Sequence, residues 1–147
     1  MSFRFSLESV LDFRKSVEQS EETELLRIVQ NINTVRGELQ QLDASKQTVR
    51  EYRNSELAAR LPAAHLRAWD EHEKHLISVS SALSLRLQSL EIRRQKQLLI
   101  LRDARRNREL LSKVREQRLK AYQREESRRE QNAIDDLFLL QLMFSRK

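Results

Sequence analysis

The sequence predicts an all-α protein made of two long helices that form an antiparallel coiled-coil hairpin, with the second helix longer than the first. Three observations support this fold class: turn residues are scarce, apolar residues recur at heptad spacing, and one proline separates two such stretches. The 147 residues include one glycine, Gly37, and one proline, Pro62, whereas compact folds use these residues at many turns. The chain therefore has few places at which it can reverse direction.

The composition agrees with long helices. Charged residues make up 34% of the chain, hydrophobic residues 39% and aromatic residues 5%, a mixture typical of coiled coils. The absence of cysteine excludes disulfides and thiolate metal sites and fits a reducing compartment. The start of the chain lacks the apolar run of a signal peptide, and the longest apolar run, residues 98–101, is far shorter than the ~20 residues of a membrane helix. We therefore expect a cytoplasmic protein.

The first arm is predicted over about residues 3–58. Its apolar residues recur at steps of three and four, which places them along one seam of a helix. Lys46 interrupts this seam, and Gly37 falls on the outer face. The seam consists of Leu25, Ile28, Ile32, Val35, Leu39, Leu42 and Val49.

The reversal is predicted at about residues 58–62. Pro62 disfavours helical geometry in the residue before it and suits the first turn of a new helix. A single helix kinked at the proline is the alternative. The hairpin is favoured, because an amphipathic helix must bury its seam and the other arm is the nearest partner.

The second arm is predicted over about residues 63–145 and repeats the pattern less regularly. Polar residues at seam positions weaken a coiled coil but can fix its register. The predicted seam comprises Leu76, Val79, Leu83, Leu90, Ile100, Ala104, Leu111 and Val114, interrupted by Arg86, Arg93, Gln97, Asn107 and Arg118.

The formal charge of +6 is unevenly distributed. Residues 1–57 carry eight basic and ten acidic side chains, whereas residues 86–129 carry fifteen basic and six acidic ones. A turn near residue 61 pairs residues whose numbers sum to about 123, which predicts ion pairs between the arms. The predicted pairs are Glu8–Arg115, Glu18–Arg105 and Glu21–Arg102, with Arg94, Arg108, Arg115 and Arg129 along one flank of the second seam.

Nucleic acid is an alternative partner for the basic segment, on charge alone. Nucleic-acid binding usually adds stacking aromatic residues or a recognised module. Tyr122 is the one aromatic residue in the segment, so the pattern favours ion pairing within the hairpin.

The end of the hairpin opposite the turn is predicted to bind a partner. The second arm overhangs the first by ~27 residues, or ~40 Å of helix, and residues 137–144 are apolar on almost every side. The facing N-terminal residues include several phenylalanines, and Arg14, Glu18 and Glu21 occupy seam positions, so we expect loose packing there. A foreign protein is favoured as the partner; a second copy, or a tail folded back on the N-terminus, is the alternative.

Catalytic and metal sites are not predicted. His72 and His75 lie one turn apart, but their spacing is not H-E-x-x-H and no third ligand is evident. No glycine-rich loop can hold phosphate, and two helices enclose no pocket for a nucleophile and its base. The sequence therefore predicts no enzymatic activity, no cofactor and no small-molecule substrate.

The two ends of the chain resemble the FliJ family of flagellar export proteins. Residues 3–14 (FRFSLESVLDFR) resemble the family's opening, an aromatic-basic-aromatic start followed by Leu-x-x-Val-Leu-x-x-Arg. Residues 128–137 (RREQNAIDDL) resemble its C-terminal stretch, in which an acidic pair follows a basic helix. Residues 63–67 (AAHLR), after the predicted turn, also fit.

The resemblance implies a non-enzymatic cytoplasmic component of the flagellar type III export apparatus. Family members are antiparallel coiled coils similar to the stalk of rotary ATPases; they sit in the hexameric export ATPase, promote its assembly and contact the membrane export gate. Export chaperones are a further class of partner. Alternatives are the equivalent stalk of a virulence type III secretion system and a homodimeric scaffold.

The resemblance and the apolar ends together predict two contact sites. Tyr52, Trp69 and Val79 lie where the family presents its export-gate surface. The predicted ATPase-ring contacts are Phe3, Phe5, Leu7, Leu11, Arg14, Ile134, Leu137, Phe138, Leu140 and Phe144.

Overall fold

The computed structural model describes residues 2–146 and contains two α-helices. Helix α1 comprises Glu8–Ala58 (51 residues) and helix α2 comprises Ala63–Ser145 (83 residues). Ion pairs join the two helices in antiparallel order, since Arg36 meets Glu91 whereas the later Arg50 meets the earlier Glu73. The predicted all-α hairpin with a longer second helix is confirmed.

The chain reverses direction at residues 59–62. Arg60 adopts a left-handed backbone conformation with φ of 54°. Its amide donates to the carbonyl of Leu57 (3.2 Å), and the amide of Leu61 donates to the carbonyl of Glu56 (3.3 Å). These two bonds form a Schellman motif, which satisfies carbonyl groups at the end of α1. Pro62 then stops the first helix, and its carbonyl accepts from the amide of His65 (3.0 Å) in the first turn of α2.

Replacing Arg60 with glycine should raise the free energy of unfolding by about 0.5–1 kcal/mol. The left-handed conformation costs a residue with a side chain ~1–2 kcal/mol, and its relief exceeds the ~0.4–1 kcal/mol by which glycine stabilises the unfolded chain. Urea denaturation followed by circular dichroism measures the change. Arg67→Gly, inside α2, is the matched control and should lower stability by about 1 kcal/mol. Equal losses in both variants would contradict the turn geometry.

The chain divides into two compact units. The turn unit comprises residues 20–101, and the terminal unit combines residues 1–19 with residues 102–147. The core of the turn unit is formed by Ile28, Ile32, Val35 and Leu90, with Leu39, Leu83 and Leu87 packed against it. This cluster confirms the predicted seam of the first arm. Lys46 interrupts this seam as predicted. Its side chain is half-buried, and its Nζ atom lies 3.8 Å from a carboxylate oxygen of Asp43.

In the terminal unit, α1 begins at Glu8 and not near residue 3 as predicted. Residues 2–7, the N-terminal segment, have no helix, and burial alternates along them: Phe3, Phe5 and Leu7 are at least half-buried, whereas the residues between them are exposed. Residues 2–5 have no regular secondary structure, and Ser6 and Leu7 form a turn in which the amide of Glu8 donates to the carbonyl of Phe5 (3.1 Å). The Arg118 guanidinium carbon lies 5.6 Å from the centroid of the Phe5 ring, and the rings of Phe3 and Tyr122 are 5.6 Å apart.

The predicted seam of the second arm is wrong at Ile100 but confirmed at the other apolar positions, which are buried or half-buried: Leu76, Val79, Leu83, Leu90, Ala104, Leu111 and Val114. Ile100 is 48% exposed, whereas the next residue, Leu101, is 3% exposed. The packed residues after Leu83 advance by four and then three, whereas the prediction advanced by three and then four. Both orders fit a heptad, so periodicity alone does not distinguish them, and the facing side chains of α1 decide. Four interrupting residues of the predicted seam are consequently exposed: Arg86, Arg93, Asn107 and Arg118.

Neither helix, within the described residues, contains a stretch long and apolar enough to cross a membrane.

Candidate functional site

The last turns of α2 carry the densest group of exposed large apolar residues among the described residues. Every residue from 123 to 146 is exposed, although α2 continues to Ser145. Four consecutive apolar residues, 137–140, cover about 300° of the helix circumference at 100° per residue. We call this surface the C-terminal tail surface; it consists of Ile134, Leu137, Phe138, Leu139, Leu140, Leu142, Met143 and Phe144, which are 46–75% exposed.

The tail does not fold back on the N-terminal residues, which was one alternative from the sequence. Phe5 is 7% exposed and Leu11 2% exposed, and both lie within the terminal unit while the tail side chains stay exposed. The apolar N-terminal residues therefore stabilise the terminal unit itself. A helix that is apolar on every side is normally buried in something, so the tail surface is the leading candidate for a binding site.

The predicted ring contacts separate into two groups in the structure. The five in the tail, from Ile134 to Phe144, are exposed. Of the N-terminal five, Phe5 and Leu11 are buried, and Phe3, Leu7 and Arg14 are half-buried. Phe13, which was not among the predicted contacts, is 61% exposed. The signal that could have identified it is an aromatic residue next to the seam but outside it.

Charged pairs hold the terminal unit where loose packing was predicted. Glu18 contacts the Nε atoms of Arg108 (2.6 Å) and Arg105 (3.4 Å), and Glu8 contacts the Nε atom of Arg115 (3.0 Å). The hydrogen bond from Arg108, with the positive charges of both arginines, lowers the pKa of Glu18 below 4.5. The predicted pairs Glu8–Arg115 and Glu18–Arg105 are confirmed. Ion pairs thus occupy the positions at which we expected loose packing, and no residue of α1 between Leu11 and Ile28 is buried.

The third predicted pair, Glu21–Arg102, is replaced by a buried polar contact in the turn unit. The side-chain amide of Gln97 donates to the carboxylate of Glu21 and to its backbone carbonyl oxygen (3.0 Å). Gln97 is 7% exposed. Arg102 instead lies 3.8 Å from its neighbour Asp103. The four-then-three register turns residue 97 towards α1 and residue 102 away from it.

The predicted gate-contact residues lie near the turn. The rings of Tyr52 and Trp69 stack with their centroids 5.7 Å apart and an angle of 4° between their planes. The indole Nε1 of Trp69 donates to the carboxylate of Glu56 at 2.7 Å, and Tyr52 remains 57% exposed. Val79 lies further along α2, in an open groove beside Leu42. The structure thus brings Tyr52 and Trp69 together.

Beside these aromatic residues, Glu73 accepts from Arg50 (3.0 Å) and Arg53. The hydrogen bond from Arg50, with the charges of both arginines, lowers the pKa of the Glu73 carboxyl below 4.5. His72 and His75 are both exposed. Among residues 2–146, no group of three or more His, Cys, Asp or Glu side chains is placed to hold a metal ion.

These features define a class of protein: a coiled-coil hairpin that presents an uncovered apolar helix at its C-terminus. The chain belongs to the FliJ family, because the family model described as Flagellar FliJ protein matches residues 3–147. It is therefore a stalk-like component of flagellar type III protein export. No curated protein and no solved structure is significantly similar to it.

Proposed function

We propose that the chain is a non-enzymatic stalk that binds the hexameric flagellar export ATPase through its C-terminal tail surface. In this role it promotes assembly of the hexamer and links it to the membrane export gate. It acts in the cytoplasm, associated peripherally with the export apparatus at the inner membrane. The observation that carries the proposal is the exposed apolar surface of α2 over residues 134–144.

The distribution of apolar side chains around the tail favours a ring over a flat surface. A flat partner covers one side of a helix, and residues 137–140 would leave apolar side chains in water on the other. A central opening surrounds the helix and covers all sides at once. Each large apolar side chain that passes from half-exposed to buried contributes on the order of 1 kcal/mol, so eight such residues supply enough free energy to offset the ordering of the complex.

The buried residues of the terminal unit have a different role in this proposal. Phe5 and Leu11, at 7% and 2% exposure, hold the N-terminal segment and α1 against α2. The half-buried Phe3, Leu7 and Arg14 supply the rim of the ring contact. The stacked pair Tyr52–Trp69, with Val79, is the proposed contact for the export gate.

Ending the chain at Ala133 should abolish binding to the ATPase hexamer while leaving the hairpin folded. The removed residues that the structure describes, 134–146, are exposed, so circular dichroism should show high helix content and little change in urea stability. Binding is measured by analytical ultracentrifugation of the purified ATPase with and without the chain, and we expect at least a 100-fold loss of affinity. The double variant Leu137→Gln/Leu140→Gln, which retains the full helix length, should weaken binding at least tenfold.

Matched controls are Leu26→Gln and Leu57→Gln, since these side chains are 59% and 53% exposed but lie outside the tail. They should bind the hexamer like the natural chain. A truncated chain that still binds the hexamer would show that the site is elsewhere. Sedimentation of the natural chain alone should show a monomer. Self-association that disappears in the truncated chain would instead favour a homodimeric scaffold.

A further inference from the structure

Helix α2 carries a second heptad seam on the face turned away from α1. Along this face the residues advance by four and three in strict alternation over about 32 Å. All of them are exposed and lie within the turn unit. We call this face the outer seam; it consists of Ser78, Ala82, Leu85, Ser89, Ile92, Lys96 and Leu99.

The outer seam is separate from the surface that packs the hairpin. The packed positions Leu83, Leu87 and Leu90 lie against the α1 core, whereas Leu85 and Ile92 each lie two residues beyond a packed position, or about 200° around the helix. Leu85 is 67% exposed, Ile92 54% and Leu99 53%. The hairpin therefore gains nothing from these three side chains.

The spacing of the three large residues distinguishes them from scattered surface leucines. Single exposed apolar residues are common and need no explanation. Here Leu85, Ile92 and Leu99 recur every seven residues, at the positions of a two-helix coiled coil that are normally charged or polar. Regular recurrence on one face is the pattern by which a helix receives another helix.

Small residues separate the large ones along the outer seam. Ser78, Ala82 and Ser89 leave space between the large side chains, which is the knobs-into-holes arrangement of a third coiled-coil strand. At 100° per residue, the three large residues lie within about 40° of one another around the helix. A helix that lies on a membrane presents a much wider apolar face, and nucleic acid offers no apolar surface to match leucines.

The charge beside the outer seam defines its partner. From residue 78 to residue 100, the outer-seam and flanking positions carry Arg86, Arg93 and Lys96 but no acidic residue. Arg93 lies 3.7 Å from Glu24 of α1, so Arg86 and Lys96 provide most of the positive charge. A second copy docked through the same seam would bring these cations together, at a cost in electrostatic repulsion.

We propose that the outer seam of α2 binds an amphipathic helix of another protein, with apolar residues at heptad spacing and acidic residues beside them. The bound helix forms a third strand beside the hairpin. This contact uses a different face and a different unit from the C-terminal tail surface, so it stands whether or not the tail binds an ATPase ring.

The experiment uses two synthetic peptides of about four heptads with Leu and Ile at the core positions. One carries Glu beside the core and the other carries Lys, and the repulsion between like charges keeps each peptide from pairing with itself. Fluorescence anisotropy of labelled peptide with the full chain should show at least tenfold tighter binding of the acidic peptide. The triple variant Leu85→Gln/Ile92→Gln/Leu99→Gln should lose at least tenfold in affinity for it, with unchanged circular dichroism.

Two further variants distinguish binding at the outer seam from nonspecific hydrophobic and electrostatic binding. Arg86→Glu/Lys96→Glu should reverse the preference, so that the basic peptide binds tighter. Leu26→Gln/Leu110→Gln, at residues 59% and 55% exposed, should bind the acidic peptide like the natural chain. Equal binding of both peptides, or an unaffected triple variant, would overturn the proposal. The proposal would also be overturned if the natural chain bound anionic vesicles or associated with itself and the triple variant did not. Either result would assign the outer seam to another partner.

Discussion

Replacing Ile32 with alanine should lower the free energy of unfolding by about 2–4 kcal/mol. Ile32 is 1% exposed and lies at the centre of the cluster formed with Ile28, Val35 and Leu90. A two-helix hairpin has one layer of seam residues between its helices, so the shortened side chain leaves neighbours that no other element can contact. The midpoint of thermal unfolding should fall by roughly 5–15 °C, at ~2–4 °C for each kcal/mol.

Leu26→Ala is the matched control for this prediction. Leu26 lies in the same helix, two turns or less from Ile32, but is 59% exposed. Its replacement removes little buried area and gains slightly in helix propensity, so the change should stay within about 0.5 kcal/mol. Circular dichroism at several urea concentrations gives both values under the same conditions. Equal effects of the two substitutions would show that the hairpin seam does not stabilise the chain.

The seam of α1 could be predicted because its steps are marked by branched apolar residues with few competitors. Ile28, Ile32 and Val35 lie among polar neighbours, and only one helical face contains all three. In α2, by contrast, apolar residues occur at the seam, beside it and opposite it, as in the run from Leu98 to Leu101. Periodicity identified the helix and most of its seam but not the order of the steps after Leu83, since packing against the other helix determines that order.

The N-terminal segment was misread for a physical reason of the same kind. The apolar character of the segment favours a helix that continues the first arm, whereas the alternation of Phe3, Phe5 and Leu7 does not fit a helix. The segment is too short for either pattern to dominate. Contacts with Arg118 and Tyr122 of α2 hold the segment outside the helix, and no local pattern contains them.

The candidate binding site was more predictable than the packing beside it. The exposure of the tail follows from the unequal lengths of the arms, and lengths can be counted from the turn at Pro62. The burial of Phe5 and Leu11 could not be predicted from the sequence, because it depends on which side chains of α2 face them. Composition predicted that residues near the N-terminus are apolar, but not that they are already covered.

Polar residues within the seam stabilise one register of the helices at some cost in free energy. An apolar seam can shift by a heptad with little change in contact, whereas hydrogen-bonded polar partners meet in one register. Glu21 and Gln97 in the turn unit form such a pair. Replacing both residues with apolar ones should therefore show by how much this polar pair lowers the free energy of unfolding.

Replacing Glu21 and Gln97 together with leucine should raise the free energy of unfolding by about 1–3 kcal/mol. The double variant extends the apolar seam between Ile28 of α1 and Leu101 of α2, both 3% exposed, and removes the cost of burying polar groups. Glu21→Leu alone leaves the Gln97 amide with one acceptor fewer, so it should gain less or lose stability. Urea denaturation of the two single variants and the double variant gives the coupling energy directly.

Gln95→Leu is the control for added hydrophobicity, because Gln95 is exposed on the opposite side of α2. It should change stability by less than about 0.5 kcal/mol. A double variant less stable than the natural chain would mean that the Glu21–Gln97 contact stabilises the hairpin outright. A stabilised double variant with additive single effects would mean that the two side chains do not interact, and that leucine at either position is sufficient.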